Sequence, residues 1–200
     1  MTRKVKNRTT TSLIILALVQ GPILYHFTSG FFKIFGIIFL GLTGLILTLI
    51  LFIDVVRNKS TNSKYHIITL IITFIFGLST VFGDIPAEYL DWTLGRWERN
   101  RIVEQVKKGI LKPDNRHQTG LCHLSTFLPI SNDGNDIDID ENKNGTVYVK
   151  FFIDRGFIDH FSAFVYTNDR NEMQQLDGGV GPFGGGVVKK LDTNWYRVSY

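Results

Sequence analysis

Nothing in this chain limits its fold more than Ile34–Ile53, IFGIIFLGLTGLILTLILFI, a run without charge or proline bracketed by Lys33 and Asp54. At the helical rise of about 1.5 Å per residue it spans roughly 30 Å, the thickness of a bilayer's hydrocarbon core. A transmembrane helix is expected here.

The rest of the chain divides around that run. Up to Gly83 it is dominated by Ile, Leu, Phe and Thr, with eight Lys and Arg against Asp54 alone, a net charge of +7. From Asp84 onward it is polar and rich in Gly, Asn and Asp, with 14 Lys and Arg against 17 Asp and Glu, a net of −3. The overall charge of +4 therefore sits beside the apolar runs, where topology rules place it. A nucleic-acid partner would call for a basic patch on the polar part, which is slightly acidic, so that class is excluded. With Cys122 as the single cysteine, there is no intramolecular disulfide and no Cys-rich metal site.

Two further runs flank the central one. Thr9–Phe32 has no charged residue, and its apolar centre Leu13–Phe27 is interrupted by Gln20, Gly21 and Pro22. A secretory signal peptide shares the basic start and apolar core. Here no small-x-small cleavage site follows, and the run ends in Tyr25, His26 and Phe27. A transmembrane helix bent at Pro22 is the reading, since membrane helices tolerate proline when neighbours re-satisfy the freed carbonyl. Tyr65–Gly83 is again uncharged, and its Thr and Ser hydroxyls can bond back to helix carbonyls. Spans are expected at about 12–29, 34–53 and 65–83. Three crossings put the basic tail Met1–Arg8 and the basic loop Asp54–Lys64 on one side, which the positive-inside rule makes cytoplasmic. The N-terminus is then cytoplasmic and residues 84–200 lie outside. A transport role would need ionisable groups within the spans. Only His26 and His66 qualify, both near span ends.

The polar part begins with Ala87–Leu111, in which Leu90, Leu94, Trp97, Val103, Val106 and Ile110 recur at helical spacing. A juxtamembrane amphipathic helix is expected over 84–112, with a break near Gly95, an i,i+4 pair of Glu104 with Lys108, and an end marked by Gly109 and Pro113. Tyr89, Trp92 and Trp97 suit the headgroup level of a membrane. A β-rich domain, 113–200, follows. Asp136–Asp140 alternates Asp and Ile, Asn144-Gly145 is a hairpin signal, and Thr146–Ile153, His160–Thr167, Val187–Leu191 and Trp195–Tyr200 read as strands.

Three constellations carry chemical suggestions. Asp140, Asn142, Asn144 and Gly145 fit the start of a calcium loop, but position twelve, where a bidentate Glu belongs, is Phe151. A polar hairpin turn is the plainer reading, with loose calcium contact at Asp136, Asp138 and Asp140 as the alternative. Gly179–Gly184 matches G-x-G-x-x-G literally, yet Pro182 lies inside it and a strand follows where a helix N-terminus should meet phosphate. No cofactor is expected. Cys122 with His123 or His160 supplies the ingredients of a nucleophile and base. A lone Cys within Leu121–Leu124 is more often a small buried side chain.

The run VKFFIDRGFIDHFSAFVYTND (Val149–Asp169), the Gly-rich loop after it and KKLDTNWYRVSY (Lys189–Tyr200) resemble the C-terminal region of certain small bacterial membrane proteins and lipoproteins. The resemblance covers roughly the last third of the chain, rests on aromatic strand positions and brings no catalytic residue. It implies a membrane-tethered domain outside the cytoplasm.

The expected fold class is α+β: three transmembrane helices, a juxtamembrane helix and a small antiparallel sheet. The expected function is a multi-pass membrane protein displaying a non-catalytic binding or interaction domain, an accessory of the cell envelope. Its partners would be the lipid bilayer and another envelope or membrane protein. The alternative is a membrane-bound hydrolase using Cys122 with His123 or His160.

Overall fold

The computed structural model describes residues 3–27, 30–57, 68, 71–75, 79, 84–113, 120–126, 129–132, 135–141, 145–155, 161–181 and 186–199. Two compact units divide the chain near residue 88, the second reaching from Tyr89 to Tyr200.

The first unit is helical. Helix α1, Arg3–Phe27, runs on through Gln20, Gly21 and Pro22, and α2 covers Gly30–Arg57. Over Asn7–Phe27 and Phe32–Arg57 these two are long and apolar enough to cross a membrane. The third expected span, 65–83, lies mostly outside the described residues; those within it that are described, 68, 71–75 and 79, are helical. Leu13 and Ala17 of α1 pack with Leu51 of α2, joined by Leu16, Leu47 and Ile72. The early part of α1 therefore meets the late part of α2, as in an antiparallel pair with only residues 28–29 between them. Gln20, buried in this unit, donates from Nε2 to Ser79 Oγ. A polar group that interrupts an apolar run is tolerated in such surroundings when another segment's hydroxyl takes its hydrogen.

The second unit is a six-stranded antiparallel sheet with a helix on each face. Helix α3, Asp84–Lys107, is unbroken at Gly95. It ends five residues earlier than expected because the Gly109 N–H bonds Val106 O at 2.8 Å and the Ile110 N–H bonds Gln105 O at 2.9 Å, with Gly109 at φ +65°. That closure needs a left-handed residue, which glycine supplies without strain. Strands β1 (Leu121–His123), β2 (Asp136–Glu141), β3 (Val147–Arg155) and β4 (Phe161–Thr167) form a meander. Helix α4 (Arg170–Asp177) follows, then β5 (Val187–Asp192) and β6 (Trp195–Ser199). The sheet order is β1-β2-β3-β4-β6-β5. The sequence reading did not anticipate β1 or α4.

Register decides the two faces. Ile137 pairs with Phe151, Phe151 with Phe164, and Tyr166 with Trp195, so these side chains share the face under α3. Trp92 of α3 lies 5.1 Å from the ring of Phe164 and 5.4 Å from that of Trp195, whose Nε1 donates to Asn100 Oδ1 at 2.9 Å. On the opposite face Ala163, Val165, Tyr196 and Val198 pack with Leu176 of α4, and Tyr148, Phe161, Met173 and Val188 border them. Strand β4, covered on both sides, is buried from Ser162 to Thr167. Fully burying a side chain such as Phe151 or Phe164 contributes about 1.5–3 kcal/mol each.

Only part of the apolar spacing read in α3 turns to the sheet. Leu90, Leu94, Trp97 and Ile110 are exposed, while Ile102, Val103 and Val106 are buried together with Arg99. Arg99 Nη2 donates to Asp91 Oδ1 at 2.7 Å and to Ile130 O at 3.0 Å, Nη1 donates to Asp91 O at 2.9 Å, and the guanidinium lies 4.6 Å from the ring of Phe164. Pairing, carbonyl acceptors and an aromatic face together compensate a charge that would otherwise be costly inside. On the exposed side Glu104 bonds Lys107 at 2.8 Å.

Candidate functional site

Helix α4 covers the β4–β6–β5 end of its face. Asp136, Asp138 and Asp140 alternate with the buried Ile137 and Ile139, so the three carboxylates share the β2 side of that same face. His123 stands opposite Asp136, with Nδ1 2.8 Å from Asp136 Oδ1. Lys150 stands opposite Asp138, and its Nζ donates to Asp138 Oδ2 at 2.9 Å. The same ammonium lies 5.0 Å from the ring of Phe161 and 5.9 Å from those of Tyr148 and Phe152. Two of the three calcium candidates are thus each engaged by a cross-strand side chain, Asp136 by the His123 imidazole and Asp138 by the Lys150 ammonium. Among the described residues no three His, Cys, Asp or Glu side chains converge as a metal-ligand group. The calcium-loop template falls on the β2–β3 hairpin, with residues 142–144 outside the described set and Phe151 at its twelfth position buried under α3.

Asp140 takes part in a second arrangement. Glu172, in the first turn of α4, has its carboxyl pKa raised, first by burial and then by the charges of Asp169 and Asp140. Asp169 caps α4, accepting from the Asn171 N–H at 2.8 Å and the Glu172 N–H at 3.4 Å. The sequence does contain this signal: Asp169-x-x-Glu172 has the spacing of a capping box. Two turns on, Asp177 Oδ1 accepts from Lys190 Nζ at 2.9 Å and from the Tyr196 hydroxyl at 3.0 Å. The hydrogen bond from Lys190 holds the Asp177 pKa below the usual carboxylate value, and the same bond raises that of Lys190. Burial, then the nearby Asp177, raises that of Tyr196.

The strand pleat separates the residues of the proposed nucleophile. Cys122 pairs with Ile137 on the face under α3 and is 5% exposed. His123, its neighbour, points to the opposite face and is 64% exposed. Adjacent residues in a strand cannot meet across the sheet. His160 lies outside the described residues. The Gly-rich motif begins at Gly179, after the last turn of α4 and ahead of β5. A helix C-terminus carries negative partial charge, the wrong sign for phosphate. Residues 182–185 of that loop also lie outside the described set.

Between β1 and β2, Asn135 gathers several of the described backbone groups. Asn135, at φ +63°, accepts at Oδ1 from the Ile130 and Ser131 N–H groups at 2.9 and 3.2 Å. Its Nδ2 donates to Leu124 O at 2.9 Å and to Thr126 Oγ1 at 2.6 Å. Asn132 then donates from Nδ2 to Ile153 O at 2.7 Å, at the irregularity in the pairing of β3 with β4. These polar residues organise backbone, and the sequence alone gives no cue to them.

The class this architecture defines is an α+β protein: apolar N-terminal helices followed by a six-stranded antiparallel sheet with a helix on each face. Comparison with protein-family models, with curated proteins and with solved structures finds no match to the chain.

Proposed function

We propose that the chain is an integral membrane protein whose three N-terminal helices carry a small binding or interaction domain, 84–200, outside the cytoplasm, as an accessory of the bacterial cell envelope. The observation that carries this reading is α2. Phe35, Ile38, Phe39, Leu42, Leu45, Ile46, Leu49 and Phe52 are all exposed along it. A core helix of a soluble protein would bury such side chains; in hydrocarbon they incur no penalty. The Thr43 hydroxyl donates to Phe39 O at 2.8 Å, so the helix's polar side chain there is satisfied internally.

A binding role, in preference to hydrolysis, is supported by the separation of Cys122 from His123 and by the charged face bearing Asp136, Asp138, Lys150 and His123.

The experiment is cysteine accessibility in intact cells. Because Cys122 is buried, the probe position is Gln174→Cys on the exposed side of α4, in a Cys122→Ala background. Labelling by a membrane-impermeant maleimide in intact cells, with the protein retained in membranes after alkaline carbonate washing, is the expected result. Labelling only after lysis would reverse the orientation, and release by carbonate would remove the membrane reading altogether.

A further inference from the structure

We propose that the outer face of α3, formed by Tyr89, Leu90, Leu94 and Trp97, lies on the lipid headgroup region, making α3 an interfacial helix as well as a structural one. The inference deepens the membrane reading above and rests on it. These four side chains fall within about half of the helix circumference, opposite the side of Trp92, Arg99, Val103 and Val106 that packs against the sheet. Leu94 is 77% and Trp97 74% exposed. An exposed contiguous apolar stripe of this kind marks an interaction surface.

Four observations favour lipid as the occupant. Tyr89 and Trp97 bracket the leucines, and both residue types concentrate at membrane–water interfaces, where an amphipathic ring has one end apolar and one wet. Arg96 and Arg101 stand beside the stripe with about half of each side chain exposed, Arg96 paired with Asp192 and Arg101 with Glu98. A guanidinium carries five N–H donors, so each can turn to a phosphate beside its carboxylate partner. Thr93, the one polar residue within the stripe, donates its hydroxyl to Tyr89 O at 2.8 Å and so needs no water. Finally, α3 follows the uncharged run Tyr65–Gly83 directly in the sequence. Trp92, which sequence alone put at the headgroups, is committed to Phe164 and Trp195 instead.

The test is nitroxide labelling of the full chain, in a Cys122→Ala background, reconstituted in equimolar phosphatidylcholine–phosphatidylglycerol vesicles. Labels go at Leu94→Cys, at Trp97→Cys, at Phe39→Cys on the exposed side of α2 and at Gln174→Cys on α4. Collision with oxygen and with a water-soluble nickel chelate is read for each. The expected result is that Leu94 and Trp97 are oxygen-accessible like Phe39, with nickel collision several-fold below that at Gln174. If Leu94 and Trp97 behave like Gln174 while Phe39 stays in lipid, the inference is overturned and the membrane reading survives. If both are shielded from oxygen and nickel alike, a protein surface covers the stripe and the inference is equally overturned. If Phe39 itself is open to nickel, the membrane reading fails and this inference falls with it.

Discussion

Gly95 and Arg99 lie one turn apart on α3, and a Cβ built at Gly95 would stand 2.6 Å from Arg99 Nη1 and 3.3 Å from Asp91 Oδ1. The absence of a side chain at 95 is what lets the arginine fold back along the helix to Asp91. In an exposed helix interior, replacing glycine by alanine is expected to stabilise by about 1 kcal/mol. Here the added methyl meets a guanidinium pinned by three hydrogen bonds, so Gly95→Ala is expected to destabilise by about 1–3 kcal/mol, the usual cost of overpacking. Thermal unfolding of the detergent-solubilised protein measures the sign. A raised Tm would mean that Arg99 moves aside freely.

Breaking the buried pair from either side leaves an uncompensated charge. Asp91→Asn and Arg99→Met are each expected to cost about 3–5 kcal/mol. Arg99→Lys should recover little, because an ammonium cannot reach Asp91 Oδ1, Asp91 O and Ile130 O while stacking on Phe164 as a planar fork does. Denaturant unfolding of the three variants checks this, and near-wild-type stability of Arg99→Lys would contradict it.

The thiol of Cys122 is expected to be inert in the folded protein, because it is buried opposite Ile137. A thiol-reactive chromogenic disulfide should react only after denaturant is added. Cys122→Ala should fold, whereas Cys122→Asp should not, since an ionised carboxylate there has no surface to reach. Rapid reaction of native Cys122 would place β1 in a different register.

Asp177, Lys190 and Tyr196 make stability depend on pH at both ends. Asp177 has a depressed pKa, so its contribution is present above the ordinary carboxylate value of 3.8 and is lost as pH falls below it. Lys190 has a raised pKa, so its contribution is present below 10.5 and is lost as pH rises beyond that value. Tyr196, also raised, acts in the same alkaline direction above 10.0. Melting temperature against pH should therefore be flat in this contribution from about pH 5 to 9 and fall at both extremes. Lys190→Met should shrink both limbs, and added salt should do so in part because the pair is exposed. Unchanged limbs in that variant would assign them to other groups.

The sequence by itself determined the apolar helix over Ile34–Ile53 and the strands near 136–140, 146–153 and 160–167, because each is written in neighbouring residues: an uncharged run or an alternation. It could not determine which side of α3 meets the sheet. Leu90, Leu94 and Trp97 are as apolar as Trp92, Val103 and Val106, and helical spacing accepts either set. The choice fell to Arg99, which by composition belongs outside and becomes tolerable inside only where Asp91, Ile130 O and the ring of Phe164 converge on it. The candidate site divides in the same way. The alternation of Asp136, Asp138 and Asp140 was legible, but their engagement by His123 and Lys150 depends on cross-strand register. That register also turned Cys122 inward and His123 outward. Periodicity is a property of a segment, whereas burial and pairing belong to the segments brought against it, and only the tertiary structure brings them there.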